Sequence, residues 1–132
     1  MADNFGLKIG VEGEKEFKKA LSDINQSFKV LGSEMKLVES EFGKNENSVQ
    51  SLTAKNEVLT KQIDAQKEKI ETLRKALENA SDSFGENDRR TQQWAVQLNN
   101  AQAELNNMER ELEENSTALK ETGKGMDGMG DA

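Results

Sequence analysis

The sequence predicts an all-α protein in which long heptad helices fold into an antiparallel helical hairpin, a coiled coil closed on itself. Three observations carry this. An apolar stripe at 3,4 spacing keeps one register from Phe17 to Leu119. Position a takes Leu21, Phe28, Met35, Phe42, Val49, Asn56, Ile63, Ile70, Leu77, Phe84, Thr91, Leu98, Leu105, Leu112 and Leu119. Position d takes Phe17, Ile24, Leu31, Val38, Asn45, Leu52, Leu59, Gln66, Leu73, Ala80, Asn87, Trp94, Ala101, Met108 and Asn115. Of these 30 positions 24 are apolar, so more than half of the chain's 44 apolar side chains lie on one line, as in helices supercoiled on each other. The second observation is the absence of proline and tyrosine, with aromatic residues at only 5%, which suits helices and not a sheet. The third is that hydrophobic and charged residues each make up 33% of the 132-residue chain, too little apolar surface for a thick globular core.

Composition also excludes functions. No cysteine is present for a disulfide or thiolate site, and no histidine for the commonest general base and zinc ligand. A net charge of −7 without a concentrated basic face disfavours direct nucleic-acid binding. The N-terminus lacks the basic-then-apolar order of a leader, and no 18 apolar residues follow one another, so no membrane segment is expected in this piece.

The elements follow in order. Residues 1–13 read as a short strand and linker, because Leu7, Ile9 and Val11 alternate with Lys8, Gly10 and Glu12 between Gly6 and Gly13. Such a strand needs a partner edge from elsewhere. The helical coiled-coil region spans 14–122. Its first helix covers about 14–42 and stops at Gly43 before the turn-rich Lys44 to Asn47; Gly32 within it costs about 1 kcal/mol relative to alanine and would permit a close helix approach. A second covers about 47–82, opened by a capping box of Asn47 and Gln50. Ser81 to Asp88 is rich in turn and cap residues, with a fresh N-cap at Asn87 or its neighbour, and a third helix covers about 88–121. Gly123, Gly125, Gly128 and Gly130 make 123–132 a flexible, linker-like tail.

If the second and third helices fold back at Gly85, opposing seam residues have numbers with a constant sum. A sum of 171 sets Leu77 against Trp94, Leu73 against Leu98, Ile70 against Ala101, Gln66 against Leu105, Ile63 against Met108, Leu59 against Leu112, Asn56 against Asn115 and Leu52 against Leu119. Every layer joins an a to a d position, and the two asparagines meet, a pairing that sets register at a cost in stability. The e and g flanks agree: Lys55, Lys67, Lys69 and Arg74 lie on the second helix, and Glu104, Glu109 and Glu111 on the third. Whether these arms belong to one chain is open, as is the place of the first helix. Unbroken heptad phase also allows one extended oligomeric rod of about 155 Å. A spectrin-like three-helix module is a further alternative.

No group reads as catalytic, and no cofactor or metal is expected. The acidic runs Glu12, Glu14, Glu16 and Glu109, Glu111, Glu113, Glu114 lack the turn glycine of a calcium loop and read as solvated helix faces. Asp88-Arg89-Arg90 is a charged cluster at a turn, suited to a partner contact or a helix start. Trp94, at a d position, reads as core, and Met126 and Met129 as part of the tail.

The segments Leu7 to Leu21 and Phe28 to Val38, with Ser83 to Thr91 and the third helix, resemble the N-terminal region of bacteriophage tail tape measure proteins over about residues 7–122. The resemblance implies a non-enzymatic structural protein that occupies the tail lumen of the virion, sets tail length during assembly in the host bacterial cytoplasm, and is expelled ahead of the DNA in genome delivery. Implied partners are tail tube, tail assembly chaperone and tip or baseplate proteins; the heptad seam itself leads to the expectation of a homo-oligomer, and no small-molecule substrate is expected. Family members are usually several hundred residues or more, so 132 residues ending in a glycine linker are expected to be an excised N-terminal piece.

Overall fold

The computed structural model describes the backbone of residues 2–43 and 48–131 and the side chains of residues 13–43 and 48–122. Three helices follow in order: α1 (Ala2–Phe42), α2 (Val49–Phe84) and α3 (Arg89–Asp131). Each boundary has a local cause. Gly43, at φ 42°, stops α1. Ser48 caps α2, its Oγ accepting the Ser51 N–H at 3.1 Å. The cap therefore lies one residue beyond the expected Asn47, which falls outside the described residues. Serine caps as well as asparagine, so the cap-box spacing alone did not discriminate between neighbours. Asp88 caps α3, accepting the Arg90 N–H at 2.8 Å.

Leu7, Ile9 and Val11, read from their alternation as a strand, fall within α1, and no strand occurs among the described residues. A lone strand leaves its N–H and C=O groups unpaired, whereas a helix satisfies them internally. The side chains of these three residues lie outside those described. At the other end α3 extends to Asp131, beyond the expected end near Glu121; the side chains from Gly123 onward, Met126 and Met129 included, lie outside the described residues.

The helices run up, down and up. α2 packs against both α3 and α1. Antiparallel contacts fix the α1 direction: Gly13 lies beside Asn79, Phe28 beside Lys69, and Glu34 beside Lys61. The extended rod does not form. The same heptads serve a rod or a hairpin, but folding back buries the seam without costing the translational freedom of further chains. A glycine turn then decides between them. Gly85 has φ 91° and ψ 156°, a region open essentially to glycine alone. Its N–H donates to Ser81 O at 2.9 Å, and its carbonyl accepts the buried Thr91 hydroxyl at 2.7 Å.

α2 buries two faces. Leu52, Leu59, Ile63, Gln66, Ile70, Leu73 and Ala80 follow the seam, while Ser51, Val58 and Ala76 are buried at positions c and g, beside α1. The close approach of α1 and α2 occurs at Gly13, where a Cβ would meet Asn79 Oδ1 at 3.1 Å. At Gly32, the position proposed for such contact, nothing lies within 4 Å of a Cβ.

These two environments predict opposite outcomes for alanine. Gly32→Ala is expected to raise stability by about 1 kcal/mol through helix propensity, and Gly85→Ala to lower it by about 1–3 kcal/mol through backbone strain. Urea denaturation followed by circular dichroism reads both; a neutral Gly85→Ala would refute the turn's role.

Candidate interaction interface

The seam predicted for pairing is an intrachain core. Leu73 is fully buried, and Ile63, Ile70, Ala101, Trp94 and Leu105 join it in one cluster with Leu21 of α1. Leu77, Leu98, Met108 and Leu112 pack against that cluster while half-buried. Leu52 and Leu59 are buried towards the other end, and Leu119 is half-buried on α3. Trp94 is 5% exposed, held by α2 and α3 with Leu21 alongside, which places it in the core and not on a recognition surface.

Two polar contacts lie within this seam. Asn115 Nδ2 donates to Asn56 Oδ1 and to Leu52 O at 2.9 Å, joining the two asparagines that the sum of 171 sets opposite. Gln66 is fully buried; its Nε2 donates to Ala101 O at 2.8 Å and to Glu104 Oε2 at 3.3 Å, while its Oε1 has no partner among the described residues. A buried amide oxygen left unpaired costs about 1–3 kcal/mol. The glutamine therefore adds little to stability.

The flanking charges behave differently from expectation. Among the described residues no ion pair joins Lys55, Lys67, Lys69 or Arg74 to Glu104, Glu109 or Glu111. Arg74 pairs with Glu71 of its own helix at 3.1 Å, and Lys69 turns to α1, its Nζ 5.9 Å from the Phe28 ring centre. Glu104 takes the Gln66 amide. Exposed pairs contribute about 0–1 kcal/mol, so local partners compete on equal terms with cross-helix ones.

Asp88-Arg89-Arg90 is a helix start. The Arg90 guanidinium holds both Asp88 carboxylate oxygens, at 3.0 and 3.1 Å, and lies 3.5 Å from the Phe84 ring centre. The Arg90 side chain, and then its backbone N–H, hold the Asp88 carboxyl below its ordinary range.

Between α1 and α3 an open groove of about 450 Å³ is lined by Leu21 and Trp94, by the amides Asn25, Gln26, Gln93 and Gln97, and by the charged Glu14, Lys18 and Lys29. Towards the other end a second groove, of about 290 Å³, sets Met35 and Glu39 across from Glu111 and Asn115. Among the described residues no group of three or more acidic residues is placed to hold a metal ion, and no helix is long and apolar enough to cross a membrane. Sequence reasoning missed the α1-facing stripe of α2. Its signal was present: Ser51, Val58, Ala65, Thr72 and Asn79 recur every seventh residue without a charge. Comparisons with known protein families, curated proteins and solved structures find no match to this chain.

Two measurements test this interface. In a double-mutant cycle, Asn56→Ala and Asn115→Ala are each expected to cost about 1–3 kcal/mol, with a coupling of about 0.5–1.5 kcal/mol; additive effects would show that the pair does not act as a unit. The second concerns pH. The folded pKa of Asp88 lies below the unfolded value near 4. Its contribution is therefore present above about pH 4 and lost as pH falls through the folded pKa. Wild type should exceed Asp88→Asn in stability at pH 7, the gap closing below about pH 4 in urea titrations; a gap constant with pH would count against the ion pair.

Proposed function

We propose that this chain is a non-catalytic helical structural module, the N-terminal region of a phage tail tape measure protein. The observation that carries the reading is the run from Leu7 to Leu21 and from Phe28 to Val38, which resembles that family, on a chain whose described residues are arranged as long packed helices. Its work is to present helix surfaces to tail tube, assembly chaperone and tip or baseplate proteins in the lumen of a forming tail. Chemistry on a small molecule has no support: the chain lacks histidine and cysteine, and its grooves are walled by amides and helix-face charges.

The packing of α1 on α2 favours a second reading, a spectrin-like three-helix interaction module outside any tail. Co-expression separates the two. With the tail tube and assembly chaperone proteins of its own genome, the affinity-tagged chain is expected to retain at least one of them after stringent washing. Recovery of neither, from a soluble folded bait, overturns the tail reading and leaves the generic module.

A further inference from the structure

The heptad phase crosses the α2–α3 turn unbroken. Phe84 closes α2 at position a, Asn87 stands at d within the turn, and Thr91 and Trp94 resume at a and d on α3. A turn that only reversed the chain would leave the phase of α3 free, and about one loop length in seven preserves it. Preserved phase has a structural consequence. Straightened through residues 85–88, α2 and α3 become a single helix of about 125 Å with its whole seam on one face.

The bend is held by few contacts, most of them exposed. The Gly85 N–H still makes a helical bond, to Ser81 O at 2.9 Å, and the Gln92 N–H already makes one to Asp88 O at 3.0 Å. Between them the turn rests on the glycine's φ of 91°, the Asp88–Arg90 ion pair, the Arg90 guanidinium on the Phe84 ring, and the Thr91 hydroxyl on Gly85 O. Straightening gives these up. It lets the N–H groups of residues 86–91 donate to carbonyls four residues back, since the segment holds no proline.

We propose that two copies of this chain exchange α3 across this turn, forming an antiparallel dimer about a two-fold axis between Gly85 and Glu86. The seam specifies the occupant. Opposing residues of the hairpin have numbers summing to 171, so a two-fold axis at the turn sets every residue of α2 against the α3 residue it meets now, on the other copy. Asn56 again meets Asn115, Gln66 again meets Ala101, and Leu21 of α1 keeps Trp94. Exchange of an identical element makes no new contact except at the hinge, which makes it a low-cost route to dimers. There Phe84 of each copy comes beside Asn87 of the other. That imperfect layer, with the entropy of joining two chains, keeps the closed monomer favoured in dilute solution. The closed chain leaves only its outward faces to other molecules, whereas exchange opens the core seam to a second copy. The pairing rests on the seam and the turn and not on the tail resemblance: a monomeric chain removes it and leaves the tail reading to the co-expression test.

Sedimentation equilibrium of the full chain tests it, on samples refolded from urea at rising concentration so that the two forms equilibrate. Wild type should climb from the mass of one chain towards two. Gly85→Ala strains the turn and favours the straight helix, so it should lower the dissociation constant at least about tenfold, while Gly32→Ala, within α1, should leave it unchanged. Glu86→Pro should act in the opposite direction. Glu86 is the second residue of a turn closed by the Asp88 N–H to Gly85 O at 3.3 Å, where proline fits, and Gly85 at ψ 156° suits a following proline. A continuous helix rejects proline there, so this variant should stay folded and monomeric. Because the chain has no cysteine, Lys67→Cys and Gln102→Cys copies can be refolded together and treated with a short bismaleimide. Both sites are exposed e positions beside the Gln66–Ala101 contact, and like sites in the dimer lie about 55 Å apart. A covalent heterodimer should therefore form in the mixture and in neither sample alone. Wild type monomeric at every concentration, or Glu86→Pro dimerising as wild type does, overturns the proposal; dimers that leave the two cysteines unlinked overturn the exchange of α3.

Discussion

Everything in this molecule depends on α2 burying two faces at once. One face carries Leu52, Leu59, Ile63, Ile70 and Leu73, and each such side chain gains about 1.5–3 kcal/mol by leaving water. The other carries Ser51, Val58 and Ala76, whose small size lets α1 lie close. α1 and α3 each have one principal neighbour, so part of their seam stays wet: Leu21, Ile24, Leu31, Trp94, Ala101 and Leu105 are buried, whereas Phe17 and Phe28 on α1, and Leu98, Met108 and Leu112 on α3, are half-buried. The difference in burial is a matter of position in the bundle, since all three helices carry the same heptad pattern.

A seam so regular could slip by one heptad and still match leucine to leucine. The polar residues prevent this. A shift of seven would place Asn56 against Met108 and Asn115 against Val49, or Asn115 against Ile63 in the other direction, stranding amides that now bond each other. An unpaired buried amide costs about 1–3 kcal/mol, whereas exchanging one aliphatic layer for another costs little. Gln66 discriminates less, because one heptad along α3 the Met108 carbonyl and Glu111 repeat the partners that Ala101 O and Glu104 now supply. The apolar layers supply the stability and the amides select which arrangement receives it.

The helices, the turn at Gly85 and the Asn56–Asn115 partnership were legible because each follows from a strong local rule: period, glycine at positive φ, and polar residues in an apolar line. The α1 face of α2 was not read, because small uncharged residues such as Ala65 and Thr72 give no hydrophobic signal and show themselves only as a missing charge every seventh residue. The flanking charges were legible as types but not as partners. Arg74 had Glu71 within one helical turn, and Lys69 had an aromatic ring on α1 that seam arithmetic for α2 and α3 did not include. The Leu7–Val11 alternation misled because period 2 says which faces a strand would show and nothing about whether an edge exists to receive it.

Internal use of the heptads also separates folding from association. In an oligomeric coiled coil the seam is completed only by another chain, so stability rises with concentration and the isolated chain is unfolded. Here Leu73, Ala76 and Trp94 are buried within one chain, which leaves contacts with other molecules to the outward faces, and these are mostly charged. Such faces contribute little affinity by ion pairing. They do repel one another, so wrong partners are disfavoured more strongly than right ones are favoured. An uncharged stretch of α3 escapes that repulsion, and it lies on the helix that contributes Trp94, Ala101 and Leu105 to the core.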